Sequence, residues 1–130
     1  MNAPPVPGRV AIVGPCASGK SVLVARLRVA GYDARQPAQE HSYVPDMWRR
    51  LARPGVLVYL DVSLPKLLRR RHVDFSPAYL AVQHRRLEHA REHCDLYLPT
   101  DGLTEREVFE RVVSVLKARP IEPRPSHRSV

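Results

Sequence analysis

A loop of small residues, set between a strand-like run and a helical run, constrains the fold of this chain more than any other feature. Residues 9–13 read RVAIV, residues 14–21 read GPCASGKS, and residues 22–27 read VLVARL. Gly14, four residues, Gly19, Lys20 and Ser21 fit the pattern GxxxxGK[ST]. Because the loop leaves a predicted strand and opens a predicted helix, the first backbone N–H groups of that helix face the loop.

This loop has the composition of a phosphate cradle. Its glycines let backbone amides point inward, and the positive end of the helix dipole faces the same anion. We expect Lys20 to reach the β- and γ-phosphates and the Ser21 hydroxyl to be a magnesium ligand. The alternative is an ordinary strand-to-helix turn, which the full pattern and its flanks disfavour. The predicted nucleotide-binding residues here are Gly14, Pro15, Cys16, Ala17, Ser18, Gly19, Lys20, Ser21 and Val22.

The rest of the chain alternates short apolar runs with helical patterns. The β-rich runs predict strands over residues 9–13, 32–36, 56–62 and 94–99. Apolar periodicity and cap residues predict helices over residues 20–30, 46–52, 64–71, 77–93 and 105–117. Such alternation implies crossover connections and a parallel sheet. The expected fold is an α/β three-layer sandwich with a short parallel sheet of about four strands.

Length and hydropathy predict one domain over residues 9–118. The 130-residue chain is long enough for a single core. Residues 1–8 and 119–130 are rich in proline and poor in apolar side chains, and we expect both to be disordered tails. No apolar run is long enough to span a bilayer, and the first residues lack the pattern of a signal peptide. We therefore expect no membrane partner and a cytoplasmic location.

Charge and cysteine content narrow the function classes. The net charge of +8 attracts anions such as nucleotides, phosphorylated metabolites or nucleic acid. Only three of the 21 basic residues are lysines, a bias that suits bidentate phosphate contacts but also fits an arginine-rich genome. Two cysteines are too few for a disulfide framework, and we expect both thiols to be reduced.

Three stretches share their patterns with one group of enzymes. They are GPCASGKSVLVARL, VLVYLDVSLPKLLRRR and DLYLPTDGLTEREVFERVVSVL, which lie within residues 9–116. The chain resembles the P-loop kinases of small molecules, the group that contains shikimate kinase and the nucleoside monophosphate kinases. The first stretch is similar to their phosphate loop and first helix, the second to their LDV strand and lid-directed helix, and the third to their last strand, base-contacting loop and final helix. The resemblance implies a P-loop NTPase type of fold.

The resemblance also implies roles for arginines and for a second loop. Arginines that close over the phosphates would come from Arg69, Arg70, Arg71, Arg85 and Arg86, with Arg70 and Arg85 as catalytic candidates. The alternative is a solvated helix face. The loop that contains Thr100, Asp101 and Gly102 would lie beside the adenine.

The chain departs from that group between its second and third predicted strands. Only residues 37–55 stand where the family usually carries a further strand and an acceptor-binding insertion, so the acceptor site is reduced or missing. The segment instead contains Glu40 and His41, at the strand edge where ligands bind in parallel sheets. We expect Glu40 to bind magnesium through water or to accept the proton of the acceptor hydroxyl. The alternative is a capped loop in which Asp46 starts a helix and Trp48 packs.

Asp61 competes with Glu40 for the acidic role. It ends the predicted VLVYLD strand on the same edge of the sheet and could order a magnesium-bound water. In the kinases that the chain resembles, an acid in this strand is often structural. Both interpretations of Asp61 therefore stay open.

A rival motif lies in the fourth predicted helix. Residues 89–93 spell H-x-x-E-H, as in inverted zinc peptidases, with His84 and Cys94 close by. Catalytic zinc needs a third protein ligand from a separate element, and this helix lies in the region expected to form the lid of a phosphate-binding fold. Histidines among arginines on a polar helix face are the simpler interpretation.

These patterns predict an ATP-dependent phosphotransferase that uses Mg²⁺ and a small metabolite or nucleotide as acceptor. The cofactors would be ATP, or another nucleoside triphosphate, and magnesium. The alternative is a nucleotide-binding or slow NTPase module that acts as a switch with a protein or nucleic-acid partner. A third interpretation, a nucleic-acid binder driven by charge, lacks aromatic side chains interleaved with the basic residues.

Overall fold

The computed structural model describes residues 6–15, 18–37, 54–62 and 77–119. These residues form four strands and three helices in the order β1 (Val6–Val13), α1 (Lys20–Val29), β2 (Asp33–Arg35), β3 (Pro54–Asp61), α2 (Pro77–His93), β4 (Leu96–Pro99) and α3 (Glu105–Ala118). Each of the seven corresponds to a predicted element, with ends that differ by no more than a few residues. The helices predicted over residues 46–52 and 64–71 lie outside the described ranges.

All four strands are parallel and lie in the order β2-β1-β3-β4. The predicted α/β architecture with a parallel sheet is therefore confirmed. The carboxyl ends of parallel strands meet at one edge of the sheet, where α/β proteins bind their ligands. That edge here holds the residues that follow Val13, Arg35, Asp61 and Pro99.

The sheet is covered on both faces, as a three-layer sandwich requires. On one face, β1 and β3 pack against α1 and α3 through a core that includes Ile12, Leu27, Val58 and Val112. On the other face, Val13, Leu57 and Tyr59 pack against Leu87 and Ala90 of α2. Strand residues buried on both faces explain the nearly continuous apolar runs in β1 and β3.

β1 begins at Val6, three residues before the start that the sequence predicts. Pro7 and Gly8 suggested a tail, because proline and glycine weaken a regular strand. The structure accommodates them with a register shift between Val6 and Val10 in the pairing with β3. Gly8 lies within this irregular segment with a φ of 80°. Such bulges are common places for glycine in a strand.

β2 pairs directly with β1, in the register Arg9↔Asp33, Val10↔Ala34 and Ala11↔Arg35. An ion pair between Arg9 and Asp33, with Nε and Oδ2 3.0 Å apart, joins the two strands. No further strand lies between them. This arrangement agrees with the shortened segment between β2 and β3 that the sequence contains.

α3 starts at a complete capping box. The Thr104 hydroxyl accepts a hydrogen bond from the backbone N–H of Glu107 at 3.1 Å, and the Glu107 carboxylate accepts one from the backbone N–H of Thr104 at 2.9 Å. These contacts lower the pKa of Glu107, with the backbone hydrogen bond of Thr104 as the largest cause. None of the helices in the described part of the chain has the length and apolar character needed to cross a membrane.

Candidate functional site

The loop between β1 and α1 begins at a glycine that no other residue could replace without strain. Gly14 is buried and has a φ of 151°, a value that L side chains rarely adopt. A Cβ atom at this position would collide with the backbone carbonyl oxygen of Leu60 in β3. The first glycine of the motif therefore allows the loop to leave β1 in direct contact with the β3 backbone.

The loop then turns into the first helix at Gly19. The backbone N–H of Ser18 donates to the carbonyl of Pro15 at 3.2 Å, and Gly19 is the N-cap residue with a φ of 98°. Gly19 provides no side-chain cap, and the first turn of α1 contains no acidic residue. The positive end of the α1 dipole is therefore not neutralised by a side chain of its own cap or first turn, which suits an anion.

Lys20 folds back across the loop. Its side chain is buried, and Nζ donates to the carbonyl oxygens of Gly14 at 2.6 Å and Pro15 at 3.1 Å. These partners are neutral carbonyls, whereas a phosphate oxygen carries a negative charge that attracts the ammonium. A phosphate oxygen is therefore a stronger partner for the Lys20 ammonium than the loop carbonyls are.

Ser18 contributes a buried hydroxyl at the base of the loop. Its Oγ has no hydrogen-bond partner within the described ranges, and it lies 3.1 Å from the point that a Cβ on Gly14 would occupy. Buried hydroxyls in proteins are nearly always paired. An unpaired hydroxyl beside the loop is consistent with a site that receives an oxygen-rich ligand.

Ser21, the expected magnesium ligand, is hydrogen-bonded to a residue that the sequence did not single out. Its Oγ donates to Oε1 of Gln36 at 3.1 Å, and both side chains are exposed. Gln36 directly follows β2, so it belongs to the same sheet edge as the loop. Its position at a strand end was the one signal in the sequence.

Both carboxylate oxygens of Asp61, at the end of β3, accept hydrogen bonds from nearby groups of the protein. Oδ1 accepts a hydrogen bond from the backbone N–H of Val62 at 2.8 Å, and Oδ2 accepts one from the Tyr97 hydroxyl. Its carbonyl oxygen accepts from the backbone N–H of Thr100 at 2.9 Å and from the Thr100 hydroxyl at 3.0 Å. These contacts favour the structural interpretation of Asp61 over the metal-binding one.

Tyr97 extends this cluster onto the α2 face of the sheet. Its ring stacks on Tyr59 with centroids 5.6 Å apart, and the Arg91 guanidinium lies 5.7 Å from its centroid. Burial, followed by the hydrogen bond to Asp61, raises the pKa of Tyr97 to about 12. Burial also raises the pKa of Tyr59, with the Asp61 charge as the next cause. Both hydroxyls are therefore protonated at neutral pH.

The loop predicted to lie beside the adenine follows β4 at the same sheet edge. Thr100 is buried and occupied with the Asp61 carbonyl, and its own carbonyl accepts from the backbone N–H of Leu103 at 3.1 Å. Asp101 and Gly102 are exposed, and Gly102 has a φ of 78°. Of the three predicted residues, Thr100 therefore links β4 to the end of β3, while Asp101 and Gly102 are exposed to solvent.

The remaining predicted residues divide between described and undescribed parts of the chain. Arg85 is exposed and Arg86 half-buried on α2, and Val22 is exposed in the first turn of α1. The other residues fall outside the described ranges: Cys16, Ala17, Glu40, His41, Asp46, Trp48, Arg69, Arg70 and Arg71.

The histidines of the H-x-x-E-H motif contact each other. The rings of His89 and His93 stack with centroids 4.1 Å apart, and His93 Nδ1 lies 2.8 Å from the His89 carbonyl oxygen. Among the residues that the structure describes, no group of three or more His, Cys, Asp and Glu side chains is arranged to hold a metal ion.

Comparison with protein-family models gives no match for this chain, and comparison with curated proteins gives none either.

Proposed function

We propose that this protein is an ATP-dependent phosphotransferase that transfers the γ-phosphoryl group to a hydroxyl or phosphate of a small metabolite or nucleotide. The observation that carries the proposal is the junction of β1 and α1. There Gly14 touches β3, Gly19 starts an uncapped helix, and Lys20 lies across the loop. This combination fits a triphosphate chain better than it fits a simple turn.

The residues of this junction suit a triphosphate with magnesium. The N-terminus of α1 and the Lys20 ammonium would attract the phosphate oxygens, and the Ser21 hydroxyl would be a protein ligand of the metal. Magnesium would neutralise part of the phosphate charge. On binding, Lys20 would exchange the carbonyls of Gly14 and Pro15 for phosphate oxygens, which are charged acceptors.

Catalysis would rest on positioning and electrostatics, because phosphoryl transfer needs little covalent chemistry from the protein. Lys20 would stabilise the charge that develops on the transferred group. Glu40 is our candidate for the acid near the acceptor, since Asp61 is engaged with Tyr97 and Val62. Arg70 and Arg85 are our candidates for closing over the phosphates.

A second candidate is a nucleotide-binding switch with slow hydrolysis. The direct pairing of β2 with β1 favours it, because no strand lies between them to support a larger acceptor site. A switch would bind ATP through the same loop but would show no acceptor-dependent turnover.

ATP hydrolysis in the presence of pooled acceptors tests the proposal. We expect one pool of nucleosides, nucleotides or phosphorylatable metabolites to stimulate ATP consumption by the wild type. Lys20→Ala should lower this turnover about a hundredfold or more. Lys20→Met, which keeps most of the apolar stem, serves as a second variant if loss of the buried side chain affects folding.

Lys117→Ala is the matched control, because Lys117 is exposed on α3. It should match the wild type in turnover and thermal stability. Tight ATP binding without stimulation by any pool would favour the switch. Equal stimulated turnover by the wild type and Lys20→Met would contradict the phosphotransferase, and equal ATP affinity of the two proteins would contradict both candidates.

A further inference from the structure

We propose that Gln36 is a positioning residue for the Ser21 hydroxyl, and that its uncharged amide sets how strongly magnesium contributes to nucleotide binding. This inference rests on the proposed function, since it concerns the metal position of the same site. It adds a residue that neither the motif nor the resemblance assigns. The observation behind it is the hydrogen bond from Ser21 Oγ to Gln36 Oε1 at 3.1 Å.

The chemistry of a hydroxyl makes this contact relevant to metal binding. A serine hydroxyl has one proton to donate and two lone pairs with which to accept or to coordinate. A hydroxyl that binds a cation through a lone pair must direct its proton away, toward another acceptor. Gln36 Oε1 already accepts that proton, so the oxygen of Ser21 is oriented before any metal arrives. Partners of this kind commonly tune metal affinity.

Gln36 is held in place by the connections between α1 and β2. The backbone N–H of Tyr32 donates to the Leu27 carbonyl at 2.9 Å, and Arg28 Nε donates to the Ala34 carbonyl at 2.9 Å. These two contacts tie the last turns of α1, the helix that contains Ser21, to β2 and to the residue before it. β2, which Gln36 follows, is also hydrogen-bonded directly to β1.

The flanks of Gln36 are also fixed. Asp33, three residues before it, is paired with both Arg9 and Arg35, with N to O distances of 3.0 and 2.9 Å. Pro37, directly after it, is buried. The backbone between an ion-paired strand and a buried proline has few ways to move. The backbone that carries Gln36 is therefore fixed at the sheet edge beside Ser21.

The uncharged amide distinguishes this arrangement from one with a carboxylate. A carboxylate in this position would accept the Ser21 proton more strongly and would add a negative charge near the cation. It would also repel the phosphates when no metal is present. The amide avoids that repulsion at the cost of a smaller metal contribution. We therefore expect the side chain at position 36 to control the dependence of nucleotide affinity on magnesium.

The test measures two dissociation constants for each variant by calorimetric titration. The probe is the β,γ-imido analogue of ATP, titrated once in EDTA and once in excess Mg²⁺. The dissociation constant in EDTA divided by the one in Mg²⁺ reports the magnesium contribution, and a larger ratio means a larger contribution. We expect Gln36→Leu to reduce this ratio about tenfold while the constant in EDTA stays near that of the wild type. Gln36→Glu should increase the ratio, in part because the carboxylate weakens binding of the analogue in EDTA.

A double-mutant cycle tests whether Gln36 acts through Ser21. Ser21→Ala should also reduce the ratio, and Gln36→Leu added to Ser21→Ala should change it no further. Thermal unfolding without ligand shows whether each variant is folded. A structural role alone would move both constants together and would leave the ratio unchanged.

The outcomes separate this inference from the proposed function. If Lys20→Met binds the analogue more weakly than the wild type, but the ratio is the same for Gln36→Leu and the wild type, the positioning role is overturned and the nucleotide site stands. Independent effects of Gln36→Leu and Ser21→Ala would also overturn it. If the wild type binds the analogue in neither condition, both the proposed function and this inference fail.

Discussion

The ends of β1 and β3 are neighbours on one sheet edge, yet they use their polar groups in opposite ways. At the end of β1, the Lys20 ammonium lies on the neutral carbonyls of Gly14 and Pro15, and α1 starts without a side-chain cap. At the end of β3, the Asp61 carboxylate is held by a tyrosine hydroxyl and a backbone N–H.

The difference shows which of the two ends suits a ligand. An ammonium that donates to neutral carbonyls is attracted more strongly by a phosphate oxygen, which carries a negative charge. A carboxylate whose two oxygens each already accept a hydrogen bond has fewer lone pairs left for a metal. Position in the fold alone does not distinguish Lys20 from Asp61, since each lies near the end of a buried strand. The hydrogen-bond partners do, and they distinguish the candidate binding loop after β1 from the structural contacts at the end of β3.

The largest effect that sharpens this comparison is expected at Gly14. Gly14→Ala would place a Cβ against the Leu60 carbonyl at a φ of 151°, so we expect the free energy of unfolding to fall by about 3 kcal/mol or more. Gly19→Ala is the matched control, because nothing lies within 4 Å of its added Cβ at a φ of 98°. It should cost about 1–2 kcal/mol. Urea unfolding of the two variants measures both values.

A smaller loss in Gly14→Ala than in Gly19→Ala would break the claim that the loop is seated on the β3 backbone. If Gly14→Ala fails to fold while Gly19→Ala folds, the claim stands. The comparison needs only the order of the two effects.

A smaller effect is expected at the end of β3. Tyr97→Phe removes the hydroxyl that donates to Asp61 and should lower the free energy of unfolding by about 1 kcal/mol, since Tyr97 is 41% exposed. Calorimetric titration of an ATP analogue with Mg²⁺ should give a dissociation constant within about twofold of the wild type.

Asp61→Asn should likewise affect stability more than binding. A tenfold weaker magnesium-dependent affinity in Asp61→Asn would instead make Asp61 a metal-binding acid.

The smallest effect is a pH dependence at the same corner. The pKa of Tyr97 is raised from 10.0 to about 12, by burial first and by the Asp61 hydrogen bond second. A raised pKa means that the folded state favours the protonated phenol. The stabilisation is therefore complete below about pH 10 and is lost as the pH rises toward about 12.

Urea unfolding of the wild type and Tyr97→Phe at several pH values between about 8 and 12 isolates this contribution. Tyr59 is present in both proteins, and burial is the largest cause of its raised pKa, so most of its titration cancels. The stability difference between the two should shrink as the pH rises above about 10. A difference that stays constant to the end of the range would mean that the Tyr97 hydroxyl makes no protonation-dependent contact.

Local signals predicted most of the fold. α2 begins at Pro77, where a proline at the first helical position marks a helix start, and the capping box at Thr104 is present with both hydrogen bonds. β1 was predicted three residues too short, because Pro7 and Gly8 look like a tail until the pairing with β3 accommodates them with a register shift. Such an irregularity depends on a strand more than 40 residues away along the chain.

The candidate site was predictable only where its residues adjoin in sequence. The spacing of Gly14, Gly19, Lys20 and Ser21 predicted the loop, but not the contact of Gly14 with Leu60. Gln36 meets Ser21 because β2 pairs with β1 directly, and Tyr97 meets Asp61 because β3 and β4 align in register. Strand order and register decide these contacts. No local pattern contains that information.

The measurement that tests the central claim most directly is calorimetric titration of the β,γ-imido analogue of ATP, with Mg²⁺, into the wild type, Lys20→Met and Lys117→Ala. We predict that the wild type and Lys117→Ala bind alike and that Lys20→Met binds roughly tenfold to a hundredfold more weakly, the loss expected for a hydrogen bond to a charged group. Equal affinity in all three proteins would contradict the assignment of this loop as a nucleotide site.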